Sequence, residues 1–69
     1  MDYFEVTVRS TAYLIKPHIE EDSLFFTTEV EGKEVLFGGT GNGLEAIDPP
    51  EVEQELLEEI ASEIDSYLA

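Results

Sequence analysis

The sequence predicts an α+β domain, in which a small antiparallel sheet of three or four strands precedes one C-terminal amphipathic helix that packs on one face of the sheet. Two observations predict this fold class. β-branched and aromatic residues are frequent up to Gly38, and from 49 to 68 apolar residues recur at three- and four-residue steps. With 69 residues the chain has room for a single domain, 1–69, with a thin core.

Apolar and polar residues alternate from Tyr3 to Leu14, which is typical of a half-buried strand. The residues on the apolar parity are Phe4, Val6, Val8, Ala12 and Leu14. Two interpretations of residues 3–17 stay open: one long bent strand, or a hairpin that turns near Ser10 and Thr11. Pro17 has no backbone N–H, so a strand at that position is expected to end or to lie at an edge.

A hairpin is predicted next, after a polar connection at residues 20–23. Its first strand runs from Leu24 to Val30 and its second from Glu34 to Phe37, with the strands expected within 3–38. Gly32 supplies the positive φ that a tight hairpin turn demands. The residues expected on one face of the first strand are Leu24, Phe26, Thr28 and Val30.

The glycine-rich segment 38–43 is predicted to be a loop, and Leu44–Ile47 is an apolar bridge of undecided form. A helix is predicted over about 49–68, with Asp48 as N-cap and Pro49 at the first helical position. Its apolar residues are Val52, Leu56, Leu57, Ile60, Ala61, Ile64, Tyr67 and Leu68. They fill about half of the helical circumference, the width expected for a helix that lies on a sheet.

Composition excludes several classes of protein. The chain has no cysteine, which excludes a disulfide framework, a thiolate zinc site and a cysteine nucleophile. Its start lacks the pattern of a signal peptide, and no apolar run approaches the ~20 residues of a membrane span, so a cytoplasmic protein is expected. The net charge of -14 disfavours direct binding to nucleic acid or to an anionic membrane, and it favours a basic partner.

Candidate motifs for chemistry are incomplete, so the sequence predicts no enzyme, no catalytic residue, no cofactor and no metal. The glycine segment lacks the lysine and the spacing of a phosphate-binding loop. His18 lies in a polar connection, where a surface role is the usual one. Ser23 follows Asp22 as in acyl carrier proteins, but the residues after it favour a strand rather than the helix of that family.

The acidic residues of the predicted helix are the most informative feature. Seven carboxylates lie between Glu51 and Asp65, and no Lys, Arg or His follows Glu34. Like charges at i, i+4 destabilise a helix. A surface of mixed charge would give the same solubility with a smaller loss of helix stability, so the one-sided pattern indicates another role. Over about 20 helical residues these carboxylates would be spaced at roughly 4 Å, close to the 3.4 Å between phosphates along one DNA strand.

This spacing predicts a surface that mimics DNA. The main partner-binding residues are predicted to be Glu51, Glu55, Glu58, Glu59 and Asp65. A second track could be formed by Glu20, Glu21, Asp22, Glu29, Glu31 and Glu34. Two other interpretations stay open. One is salt adaptation, which 13 Glu against 4 Asp disfavours. The other is an antitoxin-like inhibitor of a basic protein without DNA mimicry.

In size, charge and element order, the whole chain resembles small acidic phage-encoded inhibitors of bacterial defence, in particular the anti-CRISPR proteins that act on type I effector complexes. The resemblance implies a non-enzymatic protein that binds the effector where target DNA would dock. It also implies a site of action in the cytoplasm of the bacterial host. A monomer is expected rather than a dimer.

Overall fold

The computed structural model describes residues 2–40 and 43–69. Its elements are β1 (Phe4–Val8), β2 (Thr11–Glu20), β3 (Ser23–Val30), β4 (Lys33–Thr40), β5 (Gly43–Ile47) and α1 (Gln54–Leu68). The strands form one antiparallel sheet in chain order, and α1 packs against the two edge strands, β1 and β5. The predicted α+β class is confirmed, but the predicted count of three or four strands was too low.

Three two-residue turns connect the first four strands. The turn residues are Arg9–Ser10, Glu21–Asp22 and Glu31–Gly32, and φ is positive at both residues of each pair. Positive φ at both central residues is the pattern of a type I′ turn, whose twist matches that of the flanking strands. The turn at Gly32 agrees with the prediction. At Arg9 and Ser10, with φ of 52° and 64°, the same backbone forms without glycine, and residues 3–17 are therefore a hairpin.

The first hairpin changes which residues of β2 face the core. Val8 pairs with Thr11, so the odd-numbered residues of β2 share the face of β1 that contacts the helix. Tyr13 is half-buried and Ile15 is fully buried, whereas Leu14 is exposed. The prediction that Ala12 and Leu14 lie on the apolar face was wrong. Across a two-residue turn, even-numbered residues of the first strand lie on the same face as odd-numbered residues of the second.

β2 changes its partner halfway along. Its pairing with β1 ends at Ile15, and its pairing with β3 begins at Lys16. Pro17 pairs with Phe26 of β3 and lies beyond the end of β1. The side of β2 toward β1 is therefore a local edge at Pro17, which is where a residue without an N–H is tolerated.

The glycine-rich segment is mostly strand. Gly38, Gly39 and Thr40 belong to β4, and Gly43 begins β5, so the predicted loop over 38–43 was wrong at these positions; 41 and 42 lie outside the described residues. Gly38 is buried, and a Cβ at this position would lie 2.5 Å from Cδ1 of Ile47. Glycine therefore permits the close approach of a side chain from β5.

The helix begins at Gln54, five residues after the predicted start. Asp48 and Pro49 each precede a proline, and a residue before proline is disfavoured in the α region. Asp48 has φ 45° and is not the N-cap; Glu53 holds that position and makes no side-chain cap hydrogen bond within the described chain. The described residues contain no helix that is both long and apolar enough to cross a membrane.

The core lies between the sheet and the apolar face of α1. The buried helix residues are Leu56, Leu57, Ile60, Ala61 and Ile64, and those of the sheet are Phe4, Val6, Val8, Ile15, Phe26, Val30, Val35 and Phe37. The predicted packing face of the helix is confirmed over this stretch. Near its end, Tyr67 is 60% exposed, and its ring stacks on that of Phe4 with 4.0 Å between centroids.

We expect Ile60→Ala to lower the free energy of unfolding by about 2–5 kcal/mol, because it leaves a cavity between α1 and the sheet. Ile60 is 0% exposed, whereas Leu68, on the same helix, is 41% exposed. Leu68→Ala is therefore the matched control and should cause a clearly smaller loss. Urea unfolding followed by circular dichroism measures both variants. Equal losses would contradict the packing described here.

Thr28 provides a second test of the core. It is 3% exposed, and its Oγ1 has no hydrogen-bond partner among the described residues. Thr28→Val keeps the shape of the side chain and removes a buried polar group that lacks a partner, so we expect a gain of about 1 kcal/mol in unfolding free energy. Thr7→Val, at an exposed position of β1, is the control. A loss of stability in Thr28→Val would show that the hydroxyl is satisfied.

Candidate acidic interface

Arg9 connects the first turn of the sheet to the start of the helix. Its Nη1 donates to Oε1 of Glu53 at 3.0 Å, and its Nε donates to Oε2 of Glu59 at 3.0 Å. Its Nη2 also lies 3.7 Å from Oε1 of Glu55. These four residues are called the Arg9 cluster below. The type I′ turn makes the cluster possible, because it places Arg9 at the end of β1 beside α1.

The cluster changes the protonation equilibria of its members. The hydrogen bond with Glu53, followed by that with Glu59, raises the pKa of the Arg9 guanidinium further above its already high value. The hydrogen bond from Arg9 lowers the pKa of Glu53 below its usual range. All these side chains are substantially exposed to solvent, so the ion pairs are screened and orient the start of the helix more than they stabilise the fold.

The cluster was not predicted from the sequence. No Lys, Arg or His follows Glu34 along the chain, but the cation that reaches the helix lies 50 residues before Glu59. Two of the predicted partner-binding residues, Glu55 and Glu59, are therefore paired with Arg9. A signal was present in the sequence: Arg9 is its only arginine, and it precedes Ser10 in the middle of an alternating segment.

Glu58 and Asp65 lie on a different side of the helix. Both line a groove of about 500 Å³ between α1 and β5. Nε2 of Gln54 donates to Oε2 of Glu58 at 3.5 Å, and neither carboxylate has a Lys, Arg or His partner within 4 Å among the described residues. Of the four predicted residues that lie on α1 (Glu55, Glu58, Glu59 and Asp65), these two have no ion pair within the described chain.

Glu51 lies in the segment before α1 rather than on the helix. Its backbone carbonyl accepts a hydrogen bond from Nζ of Lys33 at 2.9 Å. Lys33 begins β4, so this contact brings the β3–β4 turn next to the start of the helix. The structure therefore places Glu51 near the hairpin and off the helical row on which it was predicted.

The acids predicted for a second track fall into two groups. One group is at the β3–β4 hairpin and consists of Glu29, Glu31 and Glu34; Glu29 and Glu34 are directly paired across the strands. The other consists of Glu20, Glu21 and Asp22, at the β2–β3 turn. The eight residues of β3 separate the two turns by about 26 Å. These acids therefore do not form one continuous track.

His18 lies beside the second group. Its Nε2 is 3.9 Å from Oε2 of Glu20, and its ring stacks on Phe25 with 5.7 Å between centroids. It lies on the face of the sheet away from the helix, since it pairs with Phe25 and not with the core residues. No group of three or more His, Asp or Glu side chains within the described residues has the arrangement to hold a metal ion.

The cations of the chain all make contacts within the fold. Arg9 is in its cluster, Lys33 donates to the carbonyl of Glu51, and Nζ of Lys16 lies 6.0 Å from the centroid of the Tyr3 ring. Of the seven carboxylates between Glu51 and Asp65, three form ion pairs within the described chain, all with Arg9. The surface of α1 and of the segment before it retains a large excess of negative charge.

No protein-family model, curated protein or solved structure matches this chain.

We expect the interaction between Arg9 and Glu53 to depend on pH. Because Arg9 lowers the pKa of Glu53, the contribution is fully present above the usual pKa of a glutamate and is lost as the pH falls through the lowered value. A double-mutant cycle with Arg9→Gln and Glu53→Gln, measured by urea unfolding at a series of pH values, isolates this coupling. Asp65→Asn in place of Glu53→Gln is the control. A coupling that persists unchanged in acid would contradict the ion pair.

Proposed function

We propose that this protein is a non-enzymatic acidic inhibitor that occupies the basic nucleic-acid-binding surface of a larger protein complex by DNA mimicry. We further propose that it is an anti-CRISPR protein, which blocks the binding of target DNA by a type I effector complex in the cytoplasm of a phage-infected bacterium. The inhibitor acts by occupying the surface, so its activity requires no catalytic residue and no cofactor.

The observation that carries this proposal is the excess of carboxylates on one rigid element. α1 has 15 residues, a length of about 22 Å, and five of them are acidic. One carboxylate per 4–5 Å of axis is close to the charge spacing of a DNA strand, about 3.4 Å per phosphate. The buried face of α1 holds the helix on the sheet, so the charges meet a partner without further ordering of the backbone.

The Arg9 cluster divides this surface into two parts. Glu53, Glu55 and Glu59 already have a cationic partner, whereas Glu58 and Asp65 have none among the described residues. We therefore assign Glu58 and Asp65 the main contacts with the basic surface. The acids of the β3–β4 hairpin, which the contact between Lys33 and Glu51 brings next to the start of the helix, extend the negative surface and increase the rate of association.

A second candidate function is an acidic inhibitor or antitoxin-like binder of another basic protein, without DNA mimicry. The two separated groups of sheet acids favour it. They give a distribution of charge that follows no single strand of DNA, and a protein partner of any shape could match it. The two functions differ in whether DNA competes for the same surface of the partner.

Competition with DNA distinguishes the two functions. With a purified type I effector complex, we expect immobilised target DNA and this protein to exclude one another. We also expect affinity to fall steeply as salt rises from 50 to 200 mM, on the order of tenfold or more, because counterions are released on binding. Binding that leaves DNA association intact would contradict DNA mimicry, and no binding at all would contradict the anti-CRISPR assignment.

Charge reversal locates the contact. Glu58→Lys combined with Asp65→Lys should weaken binding to the effector by roughly 10–100-fold, because it places cations against a basic surface. The matched control is Glu29→Lys with Glu34→Lys, which changes the net charge equally at the hairpin. Its effect should be smaller and mainly on the association rate. Equal effects would show that total charge, and not the helix, determines binding.

A further inference from the structure

The sheet has a second face, which is turned away from α1. Residues alternate between the two faces along each strand, so residues of the parity opposite to Phe26 and Phe37 lie on this outer face. Across β3, β4 and β5 the register gives two neighbouring rows on it. The rows are Phe25, Gly38 and Glu45, and Thr27, Leu36 and Ile47. α1 is the one helix among the described residues, and it packs on the opposite face.

Apolar side chains from three strands lie together on the outer face. A Cβ at Gly38 would lie 2.5 Å from Cδ1 of Ile47 and 3.2 Å from Cδ1 of Phe25, so both side chains extend over the glycine from the neighbouring strands. Leu36 pairs directly with Ile47. Phe25 and Leu36 are half-buried, and Ile47 is 38% exposed. These four residues are called the outer patch below.

The outer patch is unusual for the solvated face of a sheet. Where one face of an antiparallel sheet packs on the core, the other face ordinarily carries polar side chains. This chain also has a thin core and a net charge of -14, so apolar residues placed outside the core need a reason. A contiguous apolar patch with a polar border is typical of a surface that contacts another protein.

Carboxylates border the outer patch on the same face of the sheet. Glu45 lies beside it on β5, and Glu29 and Glu34, which pair with each other, lie one row beyond it. None of the three has a Lys, Arg or His partner within 4 Å among the described residues. Lys16 and His18 lie at the opposite border, on β2. The complementary surface therefore has an apolar centre, with Lys or Arg side chains toward β5 and toward the β3–β4 turn.

A second copy of this chain is a poor match for the outer patch. Two such faces in contact would bring three carboxylates from each copy together, and each copy carries a net charge of -14. The sheet curves around α1, so its outer face is convex, and two convex faces touch over a small area. Charge and shape both favour a different protein.

We propose that the outer patch docks on a partner protein at an apolar surface that is bordered by Lys or Arg side chains. Burial of Phe25, Leu36 and Ile47 supplies affinity, and the bordering carboxylates orient the partner. The apolar side chains and the carboxylates share one face, so a single partner surface contacts both. This inference does not rest on DNA mimicry, because α1 lies on the other side of the sheet and a DNA mimic needs charge alone.

The probe is an acetylated 14-residue helical peptide in which Leu residues form one stripe and Lys residues flank it. It is titrated into the full chain carrying ¹³C-labelled Ile and Leu methyl groups. We expect the methyl signals of Ile47 and Leu36 to shift. Those of Ile19, which is 74% exposed on the face of the sheet that carries α1, should stay in place.

A second peptide of the same composition, with Leu and Lys scrambled so that no stripe forms, measures the apolar contribution. Both peptides carry the same charge, so attraction to an acidic protein is the same for each. We expect the scrambled peptide to bind about tenfold more weakly or less, because it cannot bury the outer patch. Equal affinity of the two peptides, no binding of the striped peptide, or methyl shifts confined to α1 would each overturn the proposal.

A matched pair of variants tests the outer patch itself. Ile47→Thr removes apolar surface from it, and Ile19→Thr makes the same change at an exposed position on the other face. We expect the first variant to weaken binding of the striped peptide several-fold and the second to leave it unchanged. Urea unfolding of both variants separates lost docking from lost packing of the sheet. Equal affinities for the two variants would contradict the proposal.

Removal of the bordering charges gives a test that leaves the apolar packing intact. Glu29→Gln combined with Glu34→Gln should weaken binding of the striped peptide more than Glu58→Gln combined with Glu63→Gln on α1, which changes the net charge equally. Equal weakening would show that total charge governs binding. Sedimentation of the unmodified chain completes the set: a dimer that Ile47→Thr dissociates would overturn the proposal in favour of a second copy as the occupant.

The peptide titration and the DNA competition fail separately. Loss of stripe-specific binding removes the docking surface on the sheet and leaves the competition result standing. An effector complex that binds this protein and still admits DNA would remove the mimicry and leave the docking surface.

Discussion

The packing of α1 against both edges of the sheet is the constraint on which the rest of the molecule depends. A chain of 69 residues with a net charge of -14 has little apolar surface to spare, and its self-repulsion opposes compaction. Leu57, Ile60 and Ile64 are almost fully buried because the sheet curves around the helix, from β1 on one side to β5 on the other. With one face of the helix buried in this way, its carboxylates must lie on the outer surface.

Two consequences of this packing bear on function. On the side of β1, the helix meets Arg9, which gathers three carboxylates and neutralises part of the acidic surface. On the side of β5, it leaves a groove whose rim carboxylates have no cationic partner within the described chain. The same helix therefore has one flank on which Arg9 pairs with carboxylates, and another, toward the groove, on which Glu58 and Asp65 have no cationic partner within the described chain. This asymmetry is why Glu58 and Asp65 carry the proposal.

The sequence predicted the class of fold and the apolar face of the helix, because both follow from local periodicity. It also predicted the hairpin at Gly32, where a glycine marks the turn. The turns at Arg9–Ser10 and Glu21–Asp22 were harder to predict, because no glycine marks them and residues such as Arg9 and Glu21 rarely adopt positive φ. Their conformation is imposed by the pairing of the strands on either side, and that pairing is a tertiary property.

The sign of the surface charge, the absence of cysteine chemistry and the existence of an acidic helix were determined by the sequence alone, since composition and period do not depend on long-range contacts. The tertiary structure decided which carboxylates remain available. Arg9 and Glu59 are 50 residues apart in the chain and meet because a two-residue turn directs the arginine toward the helix. The groove, likewise, exists only because β5 and α1, joined by a proline-containing segment, lie side by side without a strand between them.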